Sequence, residues 1–262
     1  MNIFDFQRKK LAADKISMIT CYDYTSAQIL AKTSVDCLLV GDSLAMTMHG
    51  FTDTLAATVD MMCYHIAAVR RGASEKFIIG DLPFLSYRGS MSKNVATALK
   101  LMQAGANALK LECATGNLKL IRHLTDSGVP IMGHLGLTPQ YIHMLGGYKI
   151  QGRSEDSAAR IKADALKLQK AGCFALVLEC VPNALAKEIT ESLAIPTIGI
   201  GAGPDTDGQV LVFQDMLGLS DFKPKFVKTF IDGQTQIKSG VETFVAEIKN
   251  GSFPSDEHCF QS

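Results

Sequence analysis

The stretch Asp36-Cys37-Leu38-Leu39-Val40-Gly41-Asp42-Ser43, which opens DCLLVGDSLAMTMHG (Asp36–Gly50), runs from an apolar segment straight into an acid. Cys37–Val40 is short, continuous and includes a β-branched residue, the pattern of a strand buried on both faces as in parallel sheets. A carboxylate at the end of such a strand is costly unless it is paired. Two readings of Asp42 are open. It caps a helix or turn beyond the strand, a position that Asp and Ser favour, or it meets a partner supplied from elsewhere in the chain.

The same kind of run recurs along the chain, as ISMITCYD (16–23), CLLVGDS (37–43), FIIGDLP (77–83), ALKLE (108–112), PIMGHLGL (130–137), FALVLEC (174–180), PTIGIGAG (196–203) and QVLVFQD (209–215). Segments of helical spacing lie between most of them, including Thr58–Ala73, Met91–Ala106 and Ser154–Gly172. Two of these close on Gly soon after Arg or Lys, as helix C-termini often do. Eight strand candidates alternating with helices in 262 residues predict a closed (β/α)8 TIM barrel rather than an open doubly wound sheet. With no linker, repeat or low-complexity segment, residues 1–262 are expected to form a single domain. A last helix over roughly Lys225–Asn250 and an irregular tail, GSFPSDEHCFQS, complete it.

Composition narrows the function. The chain is 47% hydrophobic, enough for a substantial core, and its 26 Lys plus Arg balance 26 Asp plus Glu. No global field draws it to nucleic acid or an anionic membrane, which leaves small-molecule substrates. The basic cluster near the N-terminus is followed by no apolar run, and no stretch is apolar enough to span a bilayer, so a cytoplasmic location is expected. Seven cysteines without a C-x-x-C pair read as reduced core or near-core residues, and six histidines lack the spacing of a zinc site.

In a barrel of this kind the C-terminal strand ends build the active site. Asp42, Asp81 and Glu112 end strands two, three and four and are therefore expected to be spatial neighbours. Three carboxylates at one rim repel one another unless a cation sits among them, and an all-oxygen set favours a hard ion, Mg²⁺ first. Lys110 lies two residues before Glu112, on the same face of the strand, and suits an anionic substrate; the other reading is an ion pair with one of the acids. His134 and Glu179 end strands five and six. His134 is expected to orient substrate, and Glu179, emerging from the apolar FALVL, to serve as a base whose pKa burial raises; either could equally be a satisfied structural group. The loop IGIGAGPDTDGQ (Ile198–Gln209) reads as a phosphate cradle or as a tight glycine-enabled turn.

The motifs ITCYDYTSA, VGDSLAMTMHG, YHIAAVRRGA, DLPF, GHLGLTPQ, GGYKIQGR, LECVP, IPTIGIGAG and TDGQVLV, in this order from about Met18 to His258, closely resemble the ketopantoate hydroxymethyltransferase family. The resemblance implies a (β/α)8 barrel, a cytoplasmic homo-oligomer with one Mg²⁺ per subunit, and transfer of the one-carbon unit of 5,10-methylenetetrahydrofolate to C3 of 3-methyl-2-oxobutanoate to give 2-dehydropantoate. Carried over by motif, it implies a metal site of Asp42, Asp81 and Glu112, contacts to the oxo acid from Ser43 and Lys110, and Glu179 as proton acceptor. The chemistry is consistent: a 2-oxo acid chelates a cation through carboxylate and ketone oxygens, and the cation stabilises the enolate left when the C3 proton departs. The alternative within enzymes is a Mg²⁺-dependent lyase or mutase acting on a pyruvate-like enolate, which folate dependence would separate. A barrel that binds without catalysis is disfavoured by the full complement of acids, lysine and candidate base.

Overall fold

All eight apolar runs become strands: β1 Ile16–Thr20, β2 Cys37–Val40, β3 Phe77–Asp81, β4 Ala108–Glu112, β5 Ile131–Gly136, β6 Ala175–Glu179, β7 Thr197–Ile200 and β8 Gly208–Leu211. The structure is a computed structural model describing residues 1–221 and 223–261; Phe222 and Ser262, the last residue of the expected tail, lie outside that description. The strands close into a barrel in sequence order, parallel throughout, with β8 pairing back to β1 through Ile16 and Gly208. Two compact units are distinguished, Met1–Val212, which holds the barrel, and Phe213–Ser262.

The helices of the barrel unit are α1 Ile3–Leu11, α2 Tyr24–Ala31, α3 Leu44–Thr47, α4 Val59–Gly72, α5 Met91–Gln103, α6 Leu118–Asp126, α7 Ile142–Leu145, α8 Glu155–Lys170 and α9 Asn183–Ser192. Hydroxyl caps start the three helices expected from spacing. Thr58 accepts from the Met61 amide (3.2 Å), Ser90 from Lys93 (3.4 Å) and Ser154 from Ser157 (3.3 Å), each satisfying an amide that has no partner within its helix. The alternation is incomplete at the end: β7 reaches β8 through residues 201–207 without a helix. Strands of four residues leave little distance to return, and Gly201 and Gly203, at φ 62° and 82°, make the turn. A Cβ on Gly203 would lie 2.1 Å from Asn183 Oδ1, so the close approach itself demands glycine. The loop is thus a tight, glycine-enabled turn.

Alternate residues of the strands fill the barrel: Ile16 and Met18, Cys37 and Leu39, Phe77 and Ile79, Ala108, Met132, Ala175 and Val177, Ile198 and Val210 form one buried cluster. Phe6 of α1 joins it, meeting Phe77 and Phe174 edge-on with ring centroids 5.4 and 5.1 Å away. The period of two continues toward the C-terminal ends. From Ile79 it leads to Asp81, from Ala108 to Lys110 and Glu112, from Met132 to His134, and from Val177 to Glu179. The apolar alternation that packs the barrel therefore also turns these polar side chains inward.

The Phe213–Ser262 unit holds α10 Phe213–Met216 and α11 Gly233–Asn250. The last helix begins eight residues later than expected from Lys225. Pro224 accepts from Val227 in a turn (2.9 Å), and Asp232 caps the helix by accepting from the Thr235 amide (3.3 Å), so the chain up to the cap stays irregular. The tail carries a 3₁₀ turn, Asp256–His258. All seven cysteines are free thiols; Cys259, in the tail, is exposed, which corrects the near-core expectation for that one.

Candidate active site

Register decides which polar side chains meet. Asp81 is the Cα partner of Lys110 across β3 and β4, and Glu112 is the partner of His134 across β4 and β5. Lys110 Nζ accordingly lies 3.0 Å from Asp81 Oδ1, and His134 Nδ1 lies 3.4 Å from both Glu112 Oε1 and Lys110 Nζ. On its other side His134 Nε2 stands 3.3 Å from Glu179 Oε2. The chain from Asp81 through Lys110, His134 and Glu112 to Glu179 thus crosses four strands. Asp42, Asp81, Lys110, Glu112 and His134 are all buried. Glu179 is less enclosed than its apolar strand implies, its side chain keeping 17% of its exposure.

Asp42 is not a helix cap. Its amide donates to Asp81 Oδ2 (3.0 Å), and its own Oδ2 accepts from Gln140 Nε2 (2.8 Å). Ser43 precedes α3 without a side-chain cap bond, and its Oγ instead shares a 2.7 Å hydrogen bond with the Tyr22 hydroxyl. Burial pushes the Tyr22 phenol up to about 12, against hydrogen bonds that include Ser43, so it is neutral at physiological pH.

Charge in the cluster is unbalanced. Burial first, then the Asp81 and Glu112 carboxylates, push the Asp42 carboxyl well above the usual range, against Lys110 and Gln140. Lys110 is driven upward: burial opposes its charge, and Asp81, Glu112 and Asp42 more than offset that. For His134, burial and Lys110 both disfavour the imidazolium, yet hydrogen bonding to Glu112 and Glu179 holds its pKa up to about 9. Two residues directly following site glutamates, Cys113 and Cys180, adopt left-handed backbone at φ 69° and 48°. Such conformations are uncommon for side chains other than glycine and concentrate at functional sites.

Among the described residues no group of three or more His, Cys, Asp or Glu side chains is placed to hold a metal ion. The chemistry of Asp42, Asp81 and Glu112 nevertheless suits a hard divalent ion, since all three are buried and offer only oxygen. An ion of the Mg²⁺ type keeps several waters or substrate oxygens and does not require a full cage of side chains.

Sequence reasoning missed the residues that hold these acids in place. The Gln140 amide donates to Glu112 Oε2 (3.1 Å), and its side chain bridges Asp42 and the Leu82 carbonyl. Asn117 donates to the Glu112 and Cys113 carbonyls (2.8 and 3.0 Å) at the turn after β4. Tyr22 continues the inward alternation of Met18 and Thr20, a signal that could have found it. Gln140 lies in the short 3₁₀ turn Pro139–Tyr141 and Asn117 directly precedes α6, positions that no periodicity marks.

A closed barrel that gathers acids, an ammonium and an imidazole at its C-terminal strand ends defines a (β/α)8-barrel enzyme equipped for proton transfer. The family model described as ketopantoate hydroxymethyltransferase matches residues 1–256. A 3-methyl-2-oxobutanoate hydroxymethyltransferase of Bdellovibrio bacteriovorus is 58% identical over 259 residues, covering 98% of each chain. Its namesake in Coxiella burnetii (strain CbuG_Q212) is 55% identical over 263 residues, covering 99% of each. The chain belongs to the ketopantoate hydroxymethyltransferase family. Among solved structures, a phosphoenolpyruvate phosphomutase from Streptomyces platensis subsp. rosaceus superposes with TM-score 0.65 at 10% identity, covering 100% of this chain and 92% of that one. A phosphonopyruvate hydrolase in complex with oxalate and Mg²⁺ does so with TM-score 0.65 at 10% identity, covering 98% and 93%. These last two share the fold.

Proposed function

We propose that this enzyme transfers the one-carbon unit of 5,10-methylenetetrahydrofolate to C3 of 3-methyl-2-oxobutanoate, forming 2-dehydropantoate and tetrahydrofolate. The observation that carries the reading is the family match over residues 1–256, and the barrel rim supplies groups suited to the chemistry. Asp42, Asp81 and Glu112 would hold a Mg²⁺ ion, which when bound supplies a Lewis acid for the carboxylate and ketone oxygens of a 2-oxo acid. The hydrolase with oxalate and Mg²⁺ offers a parallel on the same fold. Lys110 then meets the substrate carboxylate, and Ser43, held by Tyr22, orients the acid. Glu179 takes the C3 proton. His134, between Glu112 and Glu179, positions that carboxylate toward the substrate. C3 then bonds to the methylene carbon, whose two bonds to folate nitrogens break; water supplies the hydroxyl oxygen, and one proton from water and the one held by Glu179 go to those nitrogens as tetrahydrofolate leaves.

The same reading makes the protein a homo-oligomer, since Ile237, Val241, Phe244 and Ile248 form an apolar stripe on α11 at helical spacing, each about half exposed. It also places it in the cytoplasm, a compartment whose redox poise suits seven free thiols. It treats the chain as one cooperative domain, which coincident unfolding by circular dichroism and calorimetry would support and two resolved transitions would contradict. The function is tested by assaying 2-dehydropantoate with oxo acid, methylenetetrahydrofolate and Mg²⁺, each omitted in turn. Product should require all three; formation without folate would rule the reading out.

A further inference from the structure

We propose that Gln140 is a positioning residue that fixes the Asp42 and Glu112 carboxylates for cation binding, with Tyr87 locking the orientation of its amide. The inference rests on the metal reading given under Proposed function.

Gln140 is buried, and every polar group of its side chain is engaged. Its Nε2 donates to Asp42 Oδ2 (2.8 Å) and to the Leu82 carbonyl (2.9 Å), while its Oε1 accepts from the Tyr87 hydroxyl (2.7 Å). Its backbone amide donates to Glu112 Oε2 (3.1 Å). One residue from the turn after β5 therefore ties together the ends of β2, β3 and β4, three strands that contribute candidate ligands. The amide has one workable orientation. Turned over, Oε1 would face a carboxylate oxygen and a carbonyl oxygen, neither of which can donate, and two buried bonds would be lost. Tyr87 reinforces this choice, because its hydroxyl, with Gln140 Oε1 as acceptor, rewards the orientation that points Nε2 at Asp42. Tyr87 is itself buried, so losing Gln140 would cost its hydroxyl a buried partner.

Partners of this kind beyond the ligands change metal affinity or activity by about 10- to 100-fold when removed. The test is Mn²⁺ binding to the metal-free full-length chain, followed by electron paramagnetic resonance without substrate, for wild type, Gln140→Leu and Tyr87→Phe. The expected Kd for Mn²⁺ rises about 10- to 100-fold in Gln140→Leu and by a smaller factor in Tyr87→Phe, which loses only the lock. In steady state the oxo acid KM should rise in both while the folate KM stays near wild type, a split that general loosening of the barrel would not produce. Should Gln140→Leu fail to fold, Tyr87→Phe decides alone, a raised Kd supporting the inference and an unchanged one overturning it. Folded variants that bind Mn²⁺ within twofold of wild type overturn the role of Gln140 and leave the metal reading standing. A wild-type chain that binds no Mn²⁺ overturns both.

Discussion

Lys110 is the ammonium of the site, 3.0 Å from Asp81 and buried. Its ion pair with Asp81 and its proposed contact with a substrate carboxylate are compatible only if Asp81 has a second positive partner when substrate binds. Lys110→Met keeps much of the apolar stem and deletes the charge. Losing a charge-assisted hydrogen bond of about 1.5–3 kcal/mol should raise the oxo acid KM roughly 10- to 100-fold, with the folate KM little changed. Steady-state kinetics with each substrate varied would check it; equal effects on both would leave Lys110 as a structural ion pair. At this scale Asp81, Lys110, Glu112, His134 and Glu179 were legible because one period of two governs both apolar packing and the inward face. The pairing of Asp42 with Gln140 was not, since 98 residues separate them and Gln140 sits on a turn where side-chain direction follows no sequence pattern.

At the level of elements, Asp36 joins three of them. It accepts from the Ser17 amide and hydroxyl of β1, both at 2.8 Å, pairs with Lys9 of α1 at 3.1 Å, and directly precedes β2. Burial works against its charge, but the Ser17 bonds and Lys9 hold its carboxyl below the ordinary value of 3.8. A carboxyl lowered in the folded state adds stability that is present above its unfolded pKa and lost as pH falls through its folded pKa. Asp36→Asn should therefore destabilise the protein at pH 7, and the difference from wild type should shrink as pH falls below about 4. Urea unfolding of both proteins across that range measures it; a gap independent of pH would show that the carboxylate's charge is not the stabilising feature. The strands themselves were readable from short apolar runs, and the capped helices from hydroxyls at their starts. The final helix was misplaced at its start because Pro224 and Asp232 outweigh the helical spacing ahead of Gly233. The absence of a helix between β7 and β8 was legible as well, because IGIGAGPDTDGQ, with its glycines and a proline, reads as a loop.

For the molecule as a whole, the resemblance carried by long motifs and the strand rhythm pointed to the same barrel. What neither could show is the net of loop residues around the acids, because those bonds depend on how distant turns meet above the strands. The stripe on α11 carries the assembly prediction. Phe244→Glu places a charge in its middle, and light scattering should find a smaller species than wild type; an unchanged mass would place the interface elsewhere. The proposed reaction turns on Glu179 removing the C3 proton of the oxo acid, and proton exchange reads this step without carbon transfer. In D₂O with Mg²⁺ and no folate, nuclear magnetic resonance should show wild type replacing the C3 proton of 3-methyl-2-oxobutanoate with deuterium. Glu179→Gln should slow that exchange by roughly 10²- to 10⁴-fold with oxo acid affinity near normal, whereas exchange at the wild-type rate in the variant would contradict the claim.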